Sequence, residues 1–398
     1  MSGCDNFLFC AAPVIFLKTI LYLSYLGGMG GGESSLLSYI VALDRAQFSP
    51  HVICATPGAF ADELRAQHVP VAIMPFALPY FKRGILPVLS PAFFLQLRAY
   101  ARTHNIALMQ CNDLETAYYA GPVAKILRVP LVWTCHAWWQ AERGWKMSFV
   151  EKFVTHILTP TRYIQNCLTD ANARLRERIT VMPLGVDTKQ FAPAPRDNAV
   201  RAEFGIAPDA PLVLMLARFQ SVKGHATLLD AAPLILDAFP RARFLLVGDT
   251  AFDTRDANAT RDLIHARVAN DQRLRRAFVF AGFRRDIVRV LNASDVLVCP
   301  SDFETYGVAN VEAMACGVPV VSTNVGGPSE TIADGETGFL VPPRDSNALA
   351  ARVKQLLGDD ALRAHMRANA RTRAEKLFAL SASVAQLENL YTRLTRAA

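Results

Sequence analysis

Apolar runs of five to seven residues recur along this chain, separated by stretches whose apolar positions return every three or four residues. The runs are too short for buried helices, and the stretches between them have the period of an amphipathic helix. In the first half the predicted strands are ILYLSYL (20–26), HVICAT (51–56), VAIMPF (71–76), IALMQC (106–111), LVWTCH (131–136), HILTP (156–160) and ITVMP (179–183). In the second half they are LVLMLA (212–217), ARFLLVG (242–248), FVFAG (278–282), DVLVCP (295–300), VPVVST (318–323) and GFLVP (338–342). Strands without internal polar alternation, separated by helices, predict parallel sheets covered on both faces, an α/β architecture.

The pattern breaks once. After ITVMP the Pro-rich, polar stretch PLGVDTKQFAPAPRDNAVRAEFGIAPDAP has no sustained period and reads as a linker containing one short helix. This predicts a first Rossmann-like domain over 1–185, a linker at 186–209 and a second doubly wound domain over 210–375. The C-terminal segment 376–398 holds LSASVAQLENLYTRLTR, in which Val384, Leu387, Leu390, Tyr391 and Leu394 form one stripe that needs a partner surface. Near the N-terminus, residues 7–26 are apolar for long enough to resemble a membrane span. Pro13 and Lys18 interrupt them, no A-x-A cleavage site follows, and the second half reads as a buried strand. Residues 1–17 are left open between an ordered start and membrane association.

Composition narrows the picture modestly. With 398 residues, 52% hydrophobic and 19% charged, the chain can build two cores and is not a disordered polymer. A net charge of +7 favours phosphate-bearing partners without choosing among nucleotides, nucleic acids and anionic lipids. Eight cysteines are scattered without C-x-x-C pairs or histidines at zinc spacing, as reduced core thiols in a cytoplasmic protein would be. Basic residues form no aromatic-interleaved stripe, which argues against nucleic acid. No D-x-D, H-E-x-x-H or G-x-S-x-G motif is present, so no metal or cofactor is expected.

The strongest chemical signal is CPSDFETYGVANVEAMACGVPVVSTNVGGPSE (299–330), a strand, a loop with Glu304 and a helix with Glu312. Eight residues turn a helix by about 800°, so the two carboxylates would diverge if both were helical. They serve one site if Glu304 lies on the loop at the strand's carboxyl end and Glu312 lies two turns down a helix starting near Tyr306. The amides of Tyr306, Gly307 and Val308 would then offer a phosphate the open end of that helix. In LARFQSVKGH (216–225), Arg218 and Lys223 follow a strand, where a rigid fork and a point charge suit a diphosphate. GGMGGGE (27–33) joins the first strand to a helix predicted to start near Ser34, and it is not the dinucleotide fingerprint. His136 ends the LVWTCH strand, and Trp138, Trp139 and Trp145 follow it. The stretch 79–102 mixes bulky apolar and basic residues and suits either an anionic membrane and lipid-linked acceptor or an ordinary helix with a loop.

These residues resemble the retaining glycosyltransferase family 4, of the two-Rossmann-domain GT-B class, whose hallmark is Glu, seven residues, Glu. Here that is Glu304 to Glu312, with EAMACGVPVV and NVGGPSE alongside. The resemblance implies that Glu304 and the amides after it hold donor-sugar hydroxyls and that Glu312 accepts from the ribose. It implies that Arg218 and Lys223 grip the diphosphate, that Gly31 and Gly32 touch donor phosphate or acceptor across the cleft, and that His136 lies near the reacting sugar. Backbone near Phe283 and Arg284 would meet the base. The C-terminal helix would cross back to the first, acceptor-binding domain.

The function so implied is metal-independent transfer, with retention, of a sugar from a UDP- or GDP-sugar to a hydroxyl on a glycan or lipid-linked acceptor. Cell-surface polysaccharide or glycolipid synthesis in the cytoplasm, or at the inner membrane face, is the expected setting. A GT-B nucleotide-sugar epimerase and a non-catalytic nucleotide-sugar-binding partner are the alternatives.

Overall fold

The computed structural model describes residues 17–25, 27–76, 91–137, 144–250 and 255–396. All thirteen predicted strands are present. The first seven are β1 (Lys18–Ser24), β2 (Phe48–Cys54), β3 (Val71–Ile73), β4 (Ile106–Cys111), β5 (Leu131–Thr134), β6 (His156–Thr159) and β7 (Ile179–Val181). They form a sheet in the order β3-β2-β1-β4-β5-β6-β7. The other six are β8 (Leu212–Leu216), β9 (Arg243–Val247), β10 (Phe278–Gly282), β11 (Val296–Cys299), β12 (Val320–Thr323) and β13 (Gly338–Val341), ordered β10-β9-β8-β11-β12-β13. Every pairing in both sheets is parallel. Both are therefore doubly wound, and the strand order reverses between β1 and β4 and between β8 and β11. The crevices above the strand ends at those points are where such sheets take ligands.

Lys18, which interrupts the apolar N-terminal run, is the first residue of β1, so the strand starts two residues before its predicted edge. Residues 7–16, Trp138, Trp139 and the 79–90 part of the basic-apolar stretch lie outside the described residues. The rest of that stretch is the Pro91–Thr103 helix, which buries Phe93, Leu97 and Ala101 and leaves Leu95 exposed. Trp145 opens the Trp145–Val150 helix and lies edge-on to Tyr118. Among the described residues no helix is long and apolar enough to cross a membrane.

One apolar cluster runs from the first sheet into the second, from Tyr22, Ile40 and Phe48 through Leu184 and Val186 to Tyr306, Val311 and Phe378. The Leu380–Arg396 helix lies against the Gly31–Ala42 helix and β4. It buries Val384, Leu387, Leu390 and Tyr391 of the predicted stripe and half-buries Leu394. Burial of each such side chain contributes about 2 kcal/mol. The Tyr391 hydroxyl is held between Tyr22, at 3.0 Å, and Gln110. The linker carries the short Asn198–Glu203 helix, whose Arg201 is fully buried. Arg201 donates to the carbonyls of Ala293 (2.8 Å) and Ala210 (2.7 Å) and to Asp295 (2.9 Å). Asp295 also accepts from the Leu212 amide at 2.8 Å, so this ion pair ties the linker to the starts of β8 and β11.

Candidate functional site

The second domain contributes a cationic shelf at the β8–β11 switch point. Arg218 follows β8, and a single turn of 3-10 helix, Ser221–Lys223, lifts Lys223 over the sheet. Gly224 comes next at φ 73°, and a Cβ there would lie 1.8 Å from the Pro300 carbonyl oxygen. Only glycine lets the loop after β8 run this close to the loop after β11. The result is that Lys223 Nζ donates to Glu304 Oε2 at 2.6 Å, with both side chains four-fifths buried. Burial acts to lower the Lys223 pKa, but the field of Glu304, that of Cys299 and the hydrogen bond to Glu304 outweigh it, and the ammonium titrates above its ordinary value. Burial lowers the pKa of Arg218, while Glu33 and Glu304 raise it.

Glu304 lies on the loop after β11, where its backbone forms a bridge to Gly326. The following helix is Val308–Ala315, two residues later than predicted, so Glu312 stands just past its first turn rather than two turns down. The shift has a local cause. Gly307, at φ 82°, is the N-cap, its carbonyl accepts from the Asn310 and Val311 amides, and the helix can begin only after it. A Cβ on Gly307 would lie 3.5 Å from Glu304 Cγ and 2.7 Å from Asn310 Nδ2. The amides of Val308 and Ala309 are thus left at the open end of the helix beside Glu304. Tyr306 points away: its side chain is buried and donates to the Leu184 carbonyl at 2.8 Å, so only its backbone belongs to the loop.

The Glu312 carboxylate is mostly buried and has no hydrogen-bond partner among the described residues, and burial raises its pKa from 4.5 to about 7. The folded protein therefore holds this proton more tightly than the unfolded chain does. Stability from it is full below pH 4.5 and is lost as pH rises through about 7. Glu312→Gln is expected to gain stability relative to wild type over that window, with a ceiling of about 3 kcal/mol at pH 8. Urea unfolding of both proteins at pH 4.5 and pH 8 measures the difference, in which the other titrating groups cancel. An equal difference at the two pH values would overturn it.

The first domain faces this shelf with the Gly31–Ala42 helix, which starts three residues before its predicted edge and takes Gly31 and Gly32 into its first turn. Among the described residues beyond its own helix backbone, nothing lies within 4 Å of a Cβ placed on Gly31, whereas one on Gly32 would lie 3.6 Å from the His136 ring. His136 Nε2 is 2.8 Å from Asn112 Oδ1, and burial lowers the ring's pKa to about 4, so a neutral imidazole donates this bond at physiological pH. Sequence reasoning missed Asn112 and Glu33. The Glu33 carboxylate folds back to accept from the Gly30 amide and its own, its pKa is raised by burial, and it is close enough for its field to act on Arg218 of the second domain. An acidic residue in a helix's first turn is common, so only the position of Arg218 marks Glu33 as facing a cleft.

Phe283 and Arg284 stand apart from this group. Phe283 is 68% exposed just beyond β10. The Arg284 guanidinium is engaged by Glu203 and Asp286 and lies over the Phe204 ring at 5.2 Å. That side chain fastens the linker helix to the second domain, leaving only the backbone there to meet a ligand. Among the described residues no three histidine, cysteine, aspartate or glutamate side chains are placed to hold a metal ion.

Known proteins are similar to this chain in sequence and in fold. Residues 29–190 match the family model described as Glycosyltransferase Family 4, and residues 197–373 match the one described as Glycosyl transferases group 1. The D-inositol 3-phosphate glycosyltransferase of Corynebacterium efficiens is 32% identical over 226 residues, 56% of this chain and 52% of that protein. Its counterpart in Kineococcus radiotolerans is 35% identical over 211 residues, 50% of this chain and 48% of that protein. The chain thus spans about half the length of the curated relatives it matches. The Anabaena protein HepE, solved with UDP-glucose, superposes with a TM-score of 0.81 at 26% identity over 94% of this chain and 99% of its own. Sucrose-phosphate synthase from Thermosynechococcus elongatus does so with a TM-score of 0.75 at 26% identity, over 96% and 100% of the two chains.

Proposed function

The chain belongs to glycosyltransferase family 4, with the GT-B fold, and from that premise we propose that it transfers a sugar from a UDP-sugar to a hydroxyl acceptor with retention of anomeric configuration. The observation that carries the proposal is the Lys223–Glu304 pair, closed at 2.6 Å beside the open N-terminus of the Val308–Ala315 helix. UDP as the nucleotide is favoured by HepE, which has been solved with UDP-glucose.

In this reading the donor diphosphate lies over the Val308 and Ala309 amides, between Arg218 and Lys223. Glu304 receives hydroxyls of the sugar and Glu312 receives those of the ribose, each as a carboxylate. The bond between the anomeric carbon and the phosphate oxygen breaks as the acceptor oxygen arrives on the same face. The acceptor proton passes to the departing phosphate, so no separate carboxylate base is needed. Negative charge on the leaving group grows toward Arg218, Lys223 and the helix amides, which bind it more strongly in the transition state than in the ground state. No metal or other cofactor takes part. His136, neutral and held by Asn112, lines the acceptor side together with Gly31 and Gly32. The acceptor is a hydroxyl on a glycan or lipid-linked carrier, and contact with an anionic membrane belongs to the same proposal.

A thermal-shift comparison of UDP, GDP and ADP tests the donor half. A ligand held only by the folded state at 100 times its Kd stabilises by about 2.7 kcal/mol. UDP is then expected to raise the melting temperature by about 3 °C, with smaller shifts for the other two. Equal shifts for all three, or none, would sink the choice of UDP.

A further inference from the structure

The two domains touch at a second point, away from the diphosphate shelf. The Arg162–Ala171 helix of the first domain has Thr161 as its N-cap, and the Thr161 side chain accepts from the Ile164 amide. This leaves the amides of Arg162 and Tyr163 to be satisfied from elsewhere. Both donate to the carboxylate of Glu330 in the second domain, at 2.9 Å to one oxygen and 2.8 Å to the other. An ionised carboxylate at a helix N-terminus is well placed for charge as well as for hydrogen bonding.

Glu330 is built into the loop that holds Glu304. It lies in the Pro328–Thr331 turn, directly after Gly326 and Gly327. The Gly327 amide donates to the Glu304 carbonyl at 2.8 Å, and Gly326 bridges to the Glu304 backbone. On its other side the turn is anchored by Arg373, which donates to the Thr331 carbonyl at 2.8 Å and the Glu330 carbonyl at 3.0 Å. A second route runs beside the first. The Tyr163 ring meets Phe303, the neighbour of Glu304 in sequence, with centroids 5.5 Å apart. Both amide bonds to Glu330 are solvent-exposed, so they can break and re-form as substrates enter and leave.

We propose that Glu330 is a positioning residue: by capping the Arg162–Ala171 helix it clamps the first domain onto the loop that carries Glu304, and so couples domain closure to the placement of that carboxylate. The catalytic half of this proposal rests on the transferase reading above. The clamp itself does not.

Hydrogen exchange, UDP binding and steady-state transfer from UDP-glucose, each on Glu330→Ala and Glu330→Gln, separate the two. With the full chain and no substrate, Glu330→Ala is expected to speed exchange in a peptide containing Arg162 and Tyr163, with the β1 and β8 peptides unchanged. UDP affinity should fall about tenfold. Misplacing a reacting group by an ångström can lower a rate about 100-fold, and kcat is expected to fall toward that limit, a larger change than the roughly tenfold rise in donor KM that the loss of UDP affinity implies. Glu330→Gln, which keeps one acceptor oxygen, should lie between the two. Unchanged exchange at Arg162 and Tyr163 would overturn the clamp. Faster exchange with unchanged kcat and UDP affinity would overturn its coupling to Glu304. Should the wild type transfer nothing from any UDP-sugar, the transferase reading fails by itself, and exchange with UDP affinity still decides the clamp.

Discussion

Lys223→Ala and Glu304→Ala are each expected to lower sugar transfer by about 100- to 1,000-fold while the protein stays folded, because each removes a preorganised partner of the reacting group. The two side chains share one hydrogen bond of 2.6 Å and are 20% and 17% exposed, so neither is fully solvated when its partner is lost. Their effects should therefore not add. The double variant is expected to be about as slow as the worse single one, as for residues that act as a unit. Lys223→Arg should not rescue. The Lys223 ammonium is mostly buried on a single short bond to Glu304, and a larger planar fork cannot replace a compact point charge there. Kinetics of the four variants with UDP-glucose, alongside their melting curves, make the test. Near-normal turnover in either single variant would remove Lys223 and Glu304 from the mechanism.

Arg201→Met is expected to destabilise the protein by about 3–5 kcal/mol, because deleting one member of a buried ion pair strands the groups it satisfied. Arg201 is fully buried, and its guanidinium serves Ala293, Ala210 and Asp295 at once. Arg196 also reaches Asp295, at 2.6 Å, so the carboxylate keeps one cation, which places the loss toward the lower end. Arg201→Lys should recover little, since a point charge cannot bond in the three directions that the fork does. The consequence reaches the candidate site through β8 and β11, whose starts Asp295 joins and whose ends carry Arg218, Lys223 and Glu304. Urea unfolding of the three proteins measures it, and a difference below about 1 kcal/mol, the range of an exposed pair, would show that the pair is not structural.

The elements of this fold are legible because their signals are local. An apolar run of five to seven residues bounded by polar turns reads as a buried parallel strand wherever it occurs, and all thirteen such runs are strands. Glu304 and Glu312 were separable into loop and helix for the same reason. Errors arise where one residue's backbone decides an edge. Gly307 in the left-handed region delays the Val308–Ala315 helix, and Gly31 and Gly32 are helical although their composition suggests a loop. Arg284 and Tyr306 show another limit. Each sits beside site residues in sequence, yet one side chain fastens the linker and the other the domain junction.

By itself, then, the sequence determined the alternation of strands and helices, the two-sheet architecture and the family, since each follows from residues within about 30 positions of one another. Only the tertiary structure decided which of those residues meet. Lys223 and Glu304 are 81 positions apart and touch because β8 and β11 are neighbours across a switch point. Glu330 and Arg162 are 168 apart, in different domains, and nothing in either local sequence marks them as partners. Contacts of that range depend on sheet order and on how two finished domains close on each other, and no periodicity along the chain encodes either one.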